Sequence, residues 1–303
     1  MIRKNFWDLT NRPYTRLKLR ILSEYLPRWA DIIFNQGIKN NWLNYKDIYY
    51  VDCCAGRGKY HFGGKTDIID GSPLIALKCA IDKQKKFNYK TRLNCIFVEK
   101  DKKFSEELEK FCEKYKNKVN FLLYKETDIN EKIYEIINLI GYKPAFFFID
   151  PGGLEISKET IKTIVNKKGA RDILFNYIKG GVERITGLIN KKDTAGLSEK
   201  NQTKRLKTIK NLENFYSTHI YESLNKTEKE RLREWVETIL KNDELKEIAV
   251  FDMPYYHKSD NIYYLLFASR KPVAKTIIKA IFRDAKKITY KGQTTMPFDT
   301  FEI

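Results

Sequence analysis

The stretch YYVDCCAGRGKYHFGGKT (Tyr49–Thr66) combines one acid, four glycines and three basic side chains. A glycine-rich turn after a strand lets backbone amides approach a phosphate or a nucleoside. Three such loops match it in part. A phosphate-cradling P-loop, GxxxxGK[ST], finds its tail in Gly63–Thr66, but Lys59 stands where its first glycine belongs. A dinucleotide loop, GxGxxG, begins at Gly56-Arg57-Gly58 and then has His61 in place of its third glycine. An S-adenosylmethionine (SAM) loop fits best. Asp52 ends the strand four residues before Gly56, where an acid can reach the donor's amino group, and Ala55, Gly56 and Gly58 shape the turn. Glu99 and Asp128 end the next two strand-like runs, where a ribose diol and an adenine amine would be held. Carboxylates suit a sulfonium cation better than they suit a pyrophosphate. Three histidines, widely separated, and five cysteines with no CxxC pair predict no metal site and a reducing compartment.

The elements that must carry these residues alternate. A helical pattern over 15–36 (Leu19, Leu22, Leu26, Trp29, Ile33) is interrupted by Pro27, which predicts a kink or a split. DIYYVD is a strand, and Ser72–Gln84 is a helix with Ser72 as N-cap and Pro73 in its first turn. Strands over 93–101, 119–128, 143–153 and 171–178 follow, separated by helices that end at Gly141 and start at Ser157. Strand–helix alternation predicts an α/β fold. Its form is a Rossmann-like, mostly parallel seven-stranded sheet with an antiparallel strand near one edge, and the acids gather on one rim. KYHFGGKTDIIDG reads as an insertion between the first strand and its helix, a lid or a substrate loop. The layout is one domain over 1–303. An N-terminal helical segment (1–47) precedes a SAM-binding core (48–181), a basic helical insertion (182–246), and a strand pair with a last helix (247–303).

YYVDCCAGRGKY, DGSPLIAL, FVEKD and FFIDPGG together resemble the three-Cys-motif partner protein family (TcmP). The resemblance runs through Asp52, Ala55, Gly56, Gly58 and Tyr60, then Gly71–Leu74, Ala76 and Leu77. It continues through Ile149–Pro151 and Gly153, and reaches Thr15, Lys18 and Leu22 near the start and Tyr263–Ser269 near the end. The glycine loop and GSPL are similar also to the ribosomal-RNA adenine-N6 methyltransferases that carry DPPY. Both resemblances imply a SAM-dependent methyltransferase fold, and the first implies a three-cysteine protein as a possible partner. In the DPPY enzymes the acid and a backbone carbonyl accept hydrogen bonds from an exocyclic amine, and the aromatic residue stacks on an unstacked base. On that pattern Asp150 and Pro151 are the catalytic candidates, and Gly153 replaces the aromatic. Tyr60, Phe62 and Tyr177 are its candidate substitutes, with Asn176 bordering the same pocket and Lys18 a candidate for the SAM carboxylate.

Lys and Arg number 57 against 39 acids, a formal charge of +18, which favours a polyanionic partner such as RNA or DNA. The insertion, with Lys204 and Arg205, would track phosphates. The expected function is methyl transfer to an exocyclic amine of a nucleic-acid base. A non-catalytic subunit that targets a three-cysteine protein is the alternative, and a nicotinamide-dependent oxidoreductase fits poorly. No apolar run approaches membrane-spanning length and no signal peptide is legible, so a cytoplasmic protein is expected.

Overall fold

The structure, a computed structural model, describes residues 13–61, 68–179, 199–216, 226–253 and 263–286. The continuous apolar runs form strands buried on both faces: β1 (Asp47–Asp52), β4 (Arg92–Glu99), β6 (Ala145–Ile149) and β7 (Arg171–Ile178). Phe121–Lys125 (β5), Glu247–Asp252 (β8) and Tyr263–Ser269 (β9) complete a seven-stranded sheet in the order β5-β4-β1-β6-β7-β9-β8. Neighbours from β5 to β7 run parallel, whereas β9 is antiparallel to both β7 and β8. The expected Rossmann-like sheet with one antiparallel strand near an edge is therefore realised. Strand order reverses at β1, which lies between β4 and β6, and such a reversal opens a crevice at the strands' C-terminal ends.

One core layer packs α1 (Pro13–Lys39), the short α2 (Leu43–Lys46), α3 (Ser72–Lys86) and α9 (Pro272–Lys286) around one face of the sheet. The other layer holds α5 (Ile129–Ile140), α6 (Lys158–Val165) and the insertion helices α7 (Glu199–Tyr216) and α8 (Glu228–Trp235). Helix α4 (Lys102–Cys112) flanks β4 and β5. Phe175, Phe215 and Trp235 stack in this second layer, with ring centroids 5.2 Å apart on either side of Trp235.

Three local expectations change. Pro27 does not split α1, which runs unbroken through it. A mid-helix proline costs about 3 kcal/mol, and burial of Leu22, Tyr25, Leu26, Trp29, Ala30 and Phe34 around it outweighs that. Ser72 does not cap α3. Gly71 is the N-cap, and Ser72 is buried beside Asp52, the carboxylate its hydroxyl serves. The insertion after β1 is a small hairpin, β2 (Lys59–His61) with β3 (Ile68–Asp70), paired Tyr60 to Ile69. The Gly71 amide donates to the Gly58 carbonyl at 2.7 Å and closes the hairpin at its root. The helix thus begins at Ser72 and not beside Thr66, so the P-loop geometry is not formed; Phe62–Asp67 lie outside the described residues.

Helix α1 is fixed to the sheet by a buried polar contact. Tyr25 Oη donates to Asp172 Oδ2 at 2.6 Å, and Ser269 Oγ donates to Oδ1 at 2.7 Å. Burial pushes Asp172 up to about 6 from its ordinary 3.8, against the pull of the two hydroxyls. The folded protein then holds this proton more tightly than the unfolded chain. The stability it contributes is full below pH 3.8 and is lost as pH rises through about 6. Asp172→Asn is therefore expected to flatten the pH dependence of urea-unfolding stability between pH 4 and 7, with a change on the order of 2–3 kcal/mol removed from the wild-type curve. An unchanged slope in the variant would contradict this.

Candidate active site

The C-terminal rim of the sheet opens into a cleft of ≈ 660 Å³ at the strand-order reversal. The loop after β1 is threaded between its neighbours: the Cys53 amide donates to the Phe148 carbonyl on β6, and the Ala55 amide to the Val98 carbonyl on β4, both at 2.9 Å. Gly56 (φ +67°) and Gly58 (φ +84°) then adopt left-handed backbone that disfavours any side chain. This turn brings the Gly56 amide to 2.6 Å from Glu99 Oε2, while the Asp101 amide lies 2.7 Å from Oε1. Burial raises Glu99, and those two amides oppose the shift by favouring its charged form. Each oxygen keeps a second acceptor direction for a diol.

Most of the predicted residues line this one cleft: Lys18, Gly56, Tyr60, Glu99, Asp128, Asp150, Pro151 and Asn176. Asp150 is held on one oxygen. Lys18 Nζ and Asn176 Nδ2 both donate to Oδ1, the latter at 2.9 Å, and no described residue donates to Oδ2. Lys18 thus pairs with Asp150 and is not left free for a cofactor carboxylate, because its place on α1 directs it into the Asp-Pro loop. Asp128 caps α5 through the Asn130 amide (2.9 Å) and is paired with Lys100. Burial alone would raise it, but those partners hold it below the ordinary range.

Asp52 and Ala55 sit behind the loop and are fully buried. Tyr50 Oη donates to Asp52 Oδ2 at 3.0 Å, while Oδ1 is buried with no hydrogen-bond partner. Burial pushes Asp52 up to about 7, with the Ser72 and Tyr50 hydroxyls opposing. Gly58 packs under α4, where a Cβ would stand 3.0 Å from Leu108 Cδ1. Tyr60 is wedged between the loop and α3: its hydroxyl would lie 2.7 Å from a Cβ on Gly56, and its ring 3.1 Å from one on Gly71. Tyr177 does not line the cleft. One residue past Asn176, it points through the opposite face of the sheet and bonds Tyr216 Oη among Phe175, Phe215 and Trp235. Arg205 is half-buried on α7, and no residue of that helix lines the cleft. The Lys204 side chain and Phe62 lie outside the described residues.

Sequence reasoning missed several wall residues. Arg57 lies over the Phe104 ring at 4.8 Å and pairs with Glu107 at 3.1 Å. Glu155 accepts from the Gly152 amide at 3.0 Å and closes the Asp-Pro loop. Tyr263 enters from β9. Cys53 and Cys54 also face the cleft, and burial pushes both thiols far above their ordinary range, so neither is a thiolate nucleophile. Apart from the glycine turn, none of these carries a spacing signal. Among the described residues no cluster of His, Cys, Asp or Glu could hold a metal, and no helix is long and apolar enough to cross a membrane.

No protein-family model and no curated protein matches the chain. Solved structures do. The Legionella pneumophila protein LPL1258 is similar over 95% of this chain and 96% of its own, at 13% identity and a TM-score of 0.52. An O-methyltransferase from Bacillus cereus in complex with SAH is similar over 87% of this chain and 83% of its own (9% identity, TM-score 0.38). The SAH-bound Podospora anserina methyltransferase PaMTH1 is similar over 79% and 76% (12% identity, TM-score 0.30). The first likeness shows a shared fold along nearly the whole chain.

Breaking a largely buried ion pair from one side strands a charge. Lys18→Met is expected to lower stability by about 1–3 kcal/mol, discounted for the partial exposure of Asp150. Lys18→Met with Asp150→Asn together should recover much of that loss. A double-mutant cycle by urea unfolding at pH 7 measures the coupling, and additive losses would mean the pair contributes nothing.

Proposed function

We propose that this chain is a SAM-dependent methyltransferase that modifies an exocyclic amine of a nucleic-acid base. The observation that carries this reading is Asp150 at the end of β6: its Oδ1 is saturated by Lys18 and Asn176, and its Oδ2 is unbonded among the described residues in the same cleft as the glycine loop. A carboxylate so fixed accepts one N–H of an amine and turns the nitrogen lone pair toward a donor bound beside it. Pro151 follows in the same loop and lines the cleft beside it.

SAM fits the residues present. Glu99, Asp128, Asp150 and Glu155 make the cleft acidic on a chain of charge +18, which favours a cationic ligand over a pyrophosphate. Glu99 would take the ribose diol, Val98, Ile129 and Ile156 offer an apolar floor for adenine, and Asp52 is the buried acceptor behind the loop. When bound, SAM supplies an electrophilic methyl group. The protein's part is then positioning, which for well-aligned partners is worth about 7–11 kcal/mol of barrier. The net charge supports a polyanionic substrate, attracted without regard to sequence.

Isothermal titration is expected to give micromolar SAM binding that strengthens as pH rises from 6 to 8. Asp52, pushed up to about 7, gains its charge over that range. Asp52→Asn should remove the pH dependence. Transfer of tritiated methyl from SAM into total RNA and DNA should fall by about 100-fold or more in Asp150→Asn. Absence of SAM binding at millimolar concentration, or transfer unaffected by Asp150→Asn, would remove the reading.

A further inference from the structure

The Asp-Pro loop lacks the aromatic side chain on which a base would stack, and its two glycines are not demanded by the fold. Neither Gly152 nor Gly153 has a positive φ. A Cβ on Gly153 would meet no described atom within 4 Å, and one on Gly152 would meet only Glu155 Oε1 at 3.7 Å. Space beside Asp150 is therefore left open by the choice of residue and not by backbone need.

Three aromatic side chains line the cleft among the described residues: Tyr60, Phe104 and Tyr263. Tyr60 is wedged against Gly56 and Gly71, and Phe104 is covered by the Arg57 guanidinium. Tyr263 is placed otherwise. It opens β9, the antiparallel strand, and pairs across from Ile178, while Leu265 pairs across from Asn176. Directly opposed residues share a sheet face, and so do residues two apart on a strand. Tyr263 and Asn176 thus stand on one face, with Tyr263 one two-residue step, about 7 Å, further out along the rim. Asn176 is the residue that bonds Asp150. Moving outward, the order is acceptor carboxylate, amide, aromatic ring.

We propose that Tyr263 is the stacking platform for the substrate base, supplied from the antiparallel strand in place of the missing side chain of the Asp-Pro loop, and that Gly152 and Gly153 leave the room the base enters. This deepens the proposed function and rests on it for the identity of the ligand as a nucleobase. The ring gives affinity without reading sequence, since every base has a π-face. Specificity for an amine stays with Asp150.

The test uses the full chain with SAH and a 12-nucleotide single strand carrying central 2-aminopurine, a base whose fluorescence is quenched by stacking. Wild type and Tyr263→Phe are expected to quench it. Tyr263→Leu should bind it about 10- to 100-fold more weakly, with an SAH affinity within twofold of wild type. Gly153→Leu, which the backbone tolerates, should bind SAH and fail to quench because the space is filled. Quenching by Tyr263→Leu at wild-type affinity, or by none of the proteins, overturns the platform. Parallel loss of SAH affinity in Tyr263→Leu also overturns it, by moving Tyr263 to the cofactor pocket. Tyr263-dependent quenching without methyl transfer into RNA or DNA sustains the platform and removes the enzymatic reading.

Discussion

An ammonium and a carboxylate 132 residues apart in the chain meet where water barely reaches, with Lys18 at 8% and Asp150 at 20% side-chain exposure. Withdrawing both charges from water is expensive unless their geometry is fixed by something else. Here it is fixed twice. Lys18 and Tyr25 lie seven residues, two turns, apart on α1 and so share a face. Tyr25 is clamped to Asp172 at the opposite end of β7, while Asn176 reaches Asp150 from that strand's C-terminal end. The strand thus sets the distance between the two anchors of the helix, and the helix delivers the cation to the loop. That arrangement explains why α1 must run unbroken through Pro27. A hinge there would let the clamped half and the cation-bearing half move independently of the rest of the layer.

The same logic of prepayment runs through the glycine loop. Two left-handed glycines turn the backbone so that an amide meets Glu99, and a second amide from Asp101 meets its other oxygen. The acid at the end of β4 is held in one orientation before any ligand arrives. Asp128 is held likewise by its capping role on α5 and by Lys100. Carboxylates locked by donors lose little further freedom on binding, and their remaining lone pairs are aimed by the fold. Asp52 is the exception, buried with one oxygen unpartnered. Its raised affinity for a proton is the expected consequence of that exposure to a low-dielectric interior.

The sheet was legible because parallel strands buried on both faces read as continuous apolar runs, AFFFI above all, and because each ends in a chemically distinct residue. The positions of Asp52, Glu99 and Asp150 followed from that. What was not legible is parity and fine contact. Asn176 and Tyr177 are adjacent, and only the pleat decides that the first faces the cleft and the second a buried aromatic cluster. A strand with both faces apolar carries no alternation from which to read it. Ser72 looked like a cap because its type and place were right, yet the nearby buried carboxylate competes for the same hydroxyl. Arg57, Glu155 and Tyr263 reach the cleft through tertiary packing of segments far apart in the chain, which no local pattern encodes.

A cleft walled by acids on a strongly basic protein is a separation of electrostatic scales. Outside, with a screening length of about 8 Å at physiological salt, a net charge of +18 acts on a polyanion collectively, through many weakly held lysines. Inside, individual carboxylates close to a ligand outweigh that field, because short separation and partial exclusion of water strengthen each interaction. A pyrophosphate entering the cleft would face Glu99, Asp128, Asp150 and Glu155 at close range, against Lys18 and Lys100 that are already paired. A sulfonium meets the same four groups as attraction. The two scales therefore select opposite charges for the two ligands, and they do so at adjoining places: the cation deep beside the glycine loop, the polyanion across the rim where β9 brings Tyr263.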